Sequence, residues 1–163
     1  MSFRANDGTD WSDTATRTMT FQIINENPVI TVSNTPLTYL EQDAPAPVRY
    51  VVVDAGLTVS DVDTPNMASA TVTVAAGHEP NKDFLRFTAT AAITGSFDAA
   101  SGTLTMAGAA TALDYQSVLR TVEYYNPAPN AEAGTRRIEF RVTDGEGGIS
   151  TAGVVNQGDT LAS

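Results

Sequence analysis

The sequence predicts an all-β fold, an antiparallel β-sandwich of about seven or more strands with one short helical turn. Three observations carry this reading. Period-two alternation of apolar and polar residues recurs in "RTMTFQI", "ASATVTVA" and "RRIEFRV", which gives each strand one buried and one wet face. Proline sits at the edges of such runs, at Pro28, Pro36, Pro45, Pro47, Pro65, Pro80, Pro127 and Pro129, and not at strand centres, where the ladder needs an N–H. The composition is rich in Thr, Ala, Val, Ser and Gly with little Lys, and it favours strands and turns over helices. Many short strands bury their apolar faces by stacking as two sheets.

Taken in order, Met19, Phe21 and Ile23 line one face of a first strand. Further strands are expected at about 29–33, 37–40 and 48–53. Ala70, Val72 and Val74 oppose Ser69, Thr71 and Thr73 in the next. A strand at about 84–90 precedes the hairpin "GSFDAASGTLTM", with its turn at Asp98–Gly102 and a return strand at about 103–107. "TALDYQSVLR" breaks the alternation: Leu113, Val118 and Leu119 stand near helical spacing, and Thr111 with Asp114 has the spacing of a capping box. Strands at about 121–125 and 149–155 flank Ile138, Phe140 and Val142, which face away from Arg137, Glu139 and Arg141.

The 163-residue chain suits one domain, or one domain plus a fragment. Its formal charge of −10 argues against nucleic acid as a partner, and no apolar run is long enough to embed it in a membrane. No leader-like segment opens it. Without cysteine there is no disulfide, thiolate nucleophile or Cys-based metal site. No nucleophile-elbow, H-E-x-x-H or phosphate-loop motif occurs, and the single histidine, His78, lies in "GHEPNKD", which reads as a solvated loop with Glu79 and Asp83 as ordinary loop acids. An enzymatic role is therefore not expected.

The acidic and amide residues group in turns: "INENP" (Asn25, Glu26, Asn27), "LEQD" (Glu41, Asp43), "SDVDTPN" (Asp61, Asp63) and "TDGEG" (Asp144, Glu146). In extended backbone, residues i and i+2 project to one side. Asp61 and Asp63 thus bring two carboxylates together, which is unfavourable unless a cation lies between them. Calcium accepts 6–8 oxygen ligands, including carboxylates, Asn side chains and carbonyls, whereas zinc prefers His or Cys. An acidic loop kept only for solubility is the alternative.

One phrase occurs twice, "FRANDG" at Phe3–Gly8 and "FRVTDG" at Phe140–Gly145. Together with "FRANDGTDWSDTATRTMTFQIINENPVI", "DAGLTVSDVDTPNMASATVTV", "LRFTATAAITGSFDAASGTLTMAG" and "YQSVLRTVEYYN", it resembles the bacterial cadherin-like repeats that stand in tandem in large surface and secreted adhesins. The resemblance covers about Phe3 to Thr151. It implies a stiff extracellular or cell-surface array with Ca²⁺ at the junctions, and neighbouring repeats of the same protein as partners. It implies residues 1–27 as the last two strands of a preceding repeat plus linker, 28–157 as one repeat and 158–163 as a tail. By position it names Asn25, Glu26, Asn27, Asp61, Asp63 and Asp144 as calcium ligands, with Glu41 serving the far junction and Asp7 the preceding one. Glu26 stands where the family has Asp, and the C-terminal "GGISTAGVVNQGDTLAS" lacks a second linker.

A carbohydrate-binding β-sandwich is the competing reading, with Trp11, Tyr39, Tyr50, Tyr115, Tyr124 and Tyr125 as candidate sugar contacts. Homophilic or glycan partners on a cell surface belong to either reading. Residues 3–24 could lie free, fold back, or pair with a second copy as a strand-exchanged dimer.

Overall fold

The structure, a computed structural model, describes residues 1–22, 24–33, 35, 37–39, 47–128 and 132–159, the last three by backbone alone. Its strands are β1 (Ser2–Phe3), β2 (Ala15–Thr16), β3 (Val29–Thr31), β4 (Leu37–Tyr39), β5 (Val51–Val52), β6 (Thr58–Ser60), β7 (Asn66–Ala76), β8 (Phe84–Arg86), β9 (Thr94–Asp98), β10 (Thr103–Thr111), β11 (Glu123–Tyr125), β12 (Thr135–Asp144) and β13 (Gly153–Asp159). The helix α1 spans Ala112–Leu119.

One large sheet runs β4-β13-β12-β7-β10-β9. All its pairings are antiparallel except β13 with β4, which is parallel. The second layer is β5-β11-β8 together with the β3-β6 pair. The alternation read from the sequence sets the buried face. Phe140, Val72 and Leu104 stand opposite one another across β12, β7 and β10, each almost completely buried. Val53, Leu57, Val59, Leu85, Val122 and Tyr124 face them from the second layer. Ile30 of β3 reaches β13 at Gly153, where a Cβ would stand 2.4 Å from its Cγ2, so glycine makes room for the β3-β6 pair.

The helix forms where expected, and Thr111 and Asp114 make the reciprocal capping box. Its buried residues are Tyr115, Val118 and Leu119, whereas Leu113 is exposed, because only the i, i+3, i+4 set faces the sandwich. The Asp98–Gly102 turn closes the β9–β10 hairpin, with Gly102 at φ +68° donating its N–H to the Asp98 carbonyl.

Four expectations shift. Residues 17–22 form no strand, and Met19 and Phe21 are exposed, because among the described residues no further strand pairs beside them to receive an apolar face; Ile23 is outside the described residues. The strand expected at 84–90 ends at Arg86, where Thr88 turns its N–H to the Thr121 hydroxyl. The last strand starts at Gly153, not 149, and runs on to Asp159 between β12 and β4. The short β6 was not expected: three residues carry too little alternation to read.

The repeated phrase folds as two related Asp-anchored turns, the second one residue longer than the first. Asp7 Oδ1 accepts the N–H groups of Thr9 and Asp10, and Asp144 Oδ1 those of Glu146 and Gly148. Bridges Asn6↔Trp11 and Thr143↔Ile149 close the two loops. The surroundings differ: Phe3 is 55% exposed and Phe140 0%.

Candidate functional site

Three segments meet at one corner of the sandwich: the linker before β3, the β6–β7 loop and the end of β12. Strand pairing places them. Val29 faces Ser60, so the linker meets the loop after β6, while Asp144 faces Met67 at the start of β7. Asp144 shares the inward parity of Phe140 and Val142 and is only 2% exposed.

The contacts are direct. Asn25 Nδ2 donates to Asp144 Oδ2 at 3.0 Å, and the Glu26 N–H donates to Asp63 Oδ2 at 3.0 Å. The Ile149 N–H reaches Asn27 Oδ1 at 3.3 Å. Asp61 Oδ1 accepts the N–H groups of Asp63 and Thr64, both at 3.2 Å. Of the seven expected ligands, Asn25, Asn27, Asp61, Asp63 and Asp144 make these contacts through side chains and Glu26 through its backbone N–H. The seventh, Glu41, lies outside the described residues.

The Glu26 N–H, with help from Asp61, holds the Asp63 carboxyl below its usual range. At Asp144 burial opposes ionisation, but hydrogen bonds from Asn25 and from the Glu146, Gly148 and Gly147 backbone outweigh it. Both carboxylates are therefore ionised at neutral pH, and the Asp144 charge pushes against that of Asp63.

Two oxygens at this corner, Asn25 Oδ1 and Asp61 Oδ2, are buried without any hydrogen-bond partner. A buried acceptor left unmet costs about 1–3 kcal/mol. Both are hard oxygen donors, and they stand among ionised carboxylates, so the set fits a cation of the calcium class. Among the described residues no three His, Asp or Glu side chains gather closely enough to hold a metal unaided. A cation at this corner would need the carboxamides as well as the acids.

A second polar cluster lies at the opposite end of β12, and the sequence reading missed it. Asp83 is fully buried and accepts from Tyr124 Oη at 2.5 Å, the Glu79 N–H at 2.7 Å, Asn126 Nδ2 at 3.0 Å and Arg136 Nε at 3.1 Å. Arg136 also pairs with Glu79 at 2.6 Å. Asp83 and Glu79 are thus not ordinary loop acids. His78 is not solvated either: its side chain is 13% exposed, packed over Gly102 with Nε2 3.3 Å from the Ala99 carbonyl. The missed signal is parity. Arg136 alternates in phase with Ile138 and Phe140, and a buried guanidinium requires a buried acid.

Of the candidate sugar contacts, Tyr39, Tyr115 and Tyr124 are buried in the core. Tyr125 stacks on Phe84, and Arg86 lies 3.3 Å over one face of the ring of Tyr50, an exposed residue. Trp11 is 63% exposed.

No family model matches the chain. Over 121 residues it is 36% identical to halomucin of Haloquadratum walsbyi, a match that covers 69% of this chain and 1% of that protein. The chain is thus similar to a small segment of that much longer protein. The Reelin-N domain of F-spondin superposes with a TM-score of 0.46 at 10% identity, over 83% of this chain and 88% of that one. Among the described residues no helix is long and apolar enough to cross a membrane.

Proposed function

We propose that this chain is a calcium-binding, cadherin-like structural repeat of an extracellular adhesion protein, non-catalytic, with neighbouring repeats as its partners. The observation that carries the reading is the convergence of Asn25, Glu26, Asn27, Asp61, Asp63 and Asp144 around two buried, unpartnered oxygens. The likeness to a segment of halomucin supports the surface location and the modular setting.

Calcium would supply the charge that the paired carboxylates lack and a partner for Asn25 Oδ1 and Asp61 Oδ2. The residues do the rest: the linker is held against the sandwich by its own side chains and backbone, so its direction follows that of the domain. Extracellular modules typically bind calcium with Kd on the order of 10⁻⁴–10⁻³ M.

Thermal melts test this. At a hundredfold excess over Kd, binding to the native state alone adds about 2.7 kcal/mol, or roughly 5–10 °C in Tm for a domain of this size. Magnesium, which needs stricter octahedral geometry, should give less. The paired change Asp61→Ala/Asp63→Ala should abolish the calcium response. Identical melts in EDTA and in calcium would overturn the proposal.

A further inference from the structure

We propose that Gly148 is the seat of the linker: the missing side chain at this position lets residues 25–27 clasp the sandwich directly, with or without a cation. The inference shares its corner with the calcium reading but does not rest on it. The clasp is three protein hydrogen bonds, Asn25 Nδ2 to Asp144 Oδ2, the Glu26 N–H to Asp63 Oδ2, and the Ile149 N–H to Asn27 Oδ1.

Gly148 lies buried between them. A Cβ there would stand 2.3 Å from Asp144 Oδ2, 2.9 Å from Asn25 Nδ2 and 3.1 Å from Asn27 Oδ1. Asp144 cannot swing away, because its Oδ1 is fixed by the Glu146 and Gly148 N–H groups, both at 2.8 Å. A methyl group at 148 therefore meets Asp144 Oδ2 first and also crowds the linker's two carboxamides.

The turn itself does not demand glycine at 148. The left-handed position in this loop is Gly147, at φ +99°. The first copy of the turn is one residue shorter and closes at Asp10, a residue with a side chain. There the Asp10 N–H meets Asp7 Oδ1 at 3.0 Å and its carbonyl accepts the Asp7 N–H at 3.3 Å. Gly148 makes the same two contacts with Asp144, at 2.8 and 3.0 Å. The shorter turn closes on a residue with a side chain; at 148 a side chain would meet both Asp144 Oδ2 and the docked linker. Gly145 is the internal control, since a Cβ on it meets nothing within 4 Å.

Amide hydrogen exchange on the full chain, in EDTA and in calcium, tests the clasp. In EDTA the Glu26 and Ile149 N–H groups of the wild type should be protected. Gly148→Ala should speed their exchange at least tenfold while Val72 and Phe140 stay slow, and Gly145→Ala should change neither. Asn27→Ala, which adds no bulk, should free Ile149; it decides the matter if Gly148→Ala loses its core protection. Free exchange of both amides in wild type under EDTA, or retained protection of Ile149 in Asn27→Ala, overturns the proposal. If the clasp signals hold and calcium changes nothing, the calcium reading alone fails. Protection that arises only with calcium sinks the clasp and leaves the calcium reading standing.

Discussion

At the scale of single residues, burial decides what an acid does. Asp83 and Asp63 are both loop aspartates, yet one is sealed under Tyr124 and Arg136 and the other faces solvent. Burial, with the Asp83 carboxylate beside it, pushes the Tyr124 hydroxyl far up, so it stays a donor. Burial also disfavours the Arg136 charge, but Asp83 more than restores it. Asp83→Ala leaves the buried guanidinium with only the Glu79 carboxylate and strips Tyr124 and Asn126 of their acceptor, and should cost about 3–5 kcal/mol in urea unfolding at pH 7; a loss under about 1 kcal/mol would contradict the assignment. Asp63 and Asp144 titrate below the ordinary 3.8. A depressed folded value means that their stabilisation is complete above that ordinary value and is lost as the pH falls through the lower, folded one. The linker should therefore loosen as the pH falls below about 4, and any calcium-dependent gain in Tm should fall with it. Melts at stepped pH, with and without calcium, would show it.

At the scale of elements, local chemistry was readable wherever it is enough to specify the structure. Thr111 and Asp114 announced α1, and their hydroxyl and backbone bonds hold Asp114 in its ionised form. Thr111→Ala removes the cap and should cost about 1 kcal/mol, with the far-ultraviolet signal and the denaturation midpoint as readouts. The alternation of β7 and β12 named their buried faces because side chains in a strand alternate strictly. β12 carries more than the reading assigned to it. Arg136 and Asp144, both in phase with its core residues, anchor two polar clusters roughly 26 Å apart at 3.3 Å per residue. A run such as "RRIEFRV" shows which side chains point inward but not which acid waits there.

At the scale of the whole molecule, the first 22 residues stand apart. β1 and β2 pair over two residues each, and Phe3, Trp11, Met19 and Phe21 are all exposed. Two strands without a third bury little. Removing residues 1–22 should shift Tm by less than about 2 °C, and a larger drop would mean that the hairpin packs on the sandwich. Molar mass at rising concentration tests whether its apolar face pairs with a second copy.

By itself the sequence determined the sandwich, the inward faces of its long strands, the capped helix and, through the family resemblance, the linker, D-x-D and Asp144 as one set. These depend on local periodicity or on ordered phrases. Only the tertiary structure decided that Asp83 is an anchor and not a loop acid, and that the first "FRANDG" stays exposed while the second is buried. It alone gave Gly148 its place beneath the linker. Each of these depends on contacts between residues far apart, 119 positions from Asn25 to Asp144 and 53 from Asp83 to Arg136. Strand register sets such contacts, and register is a property of the assembled sheet.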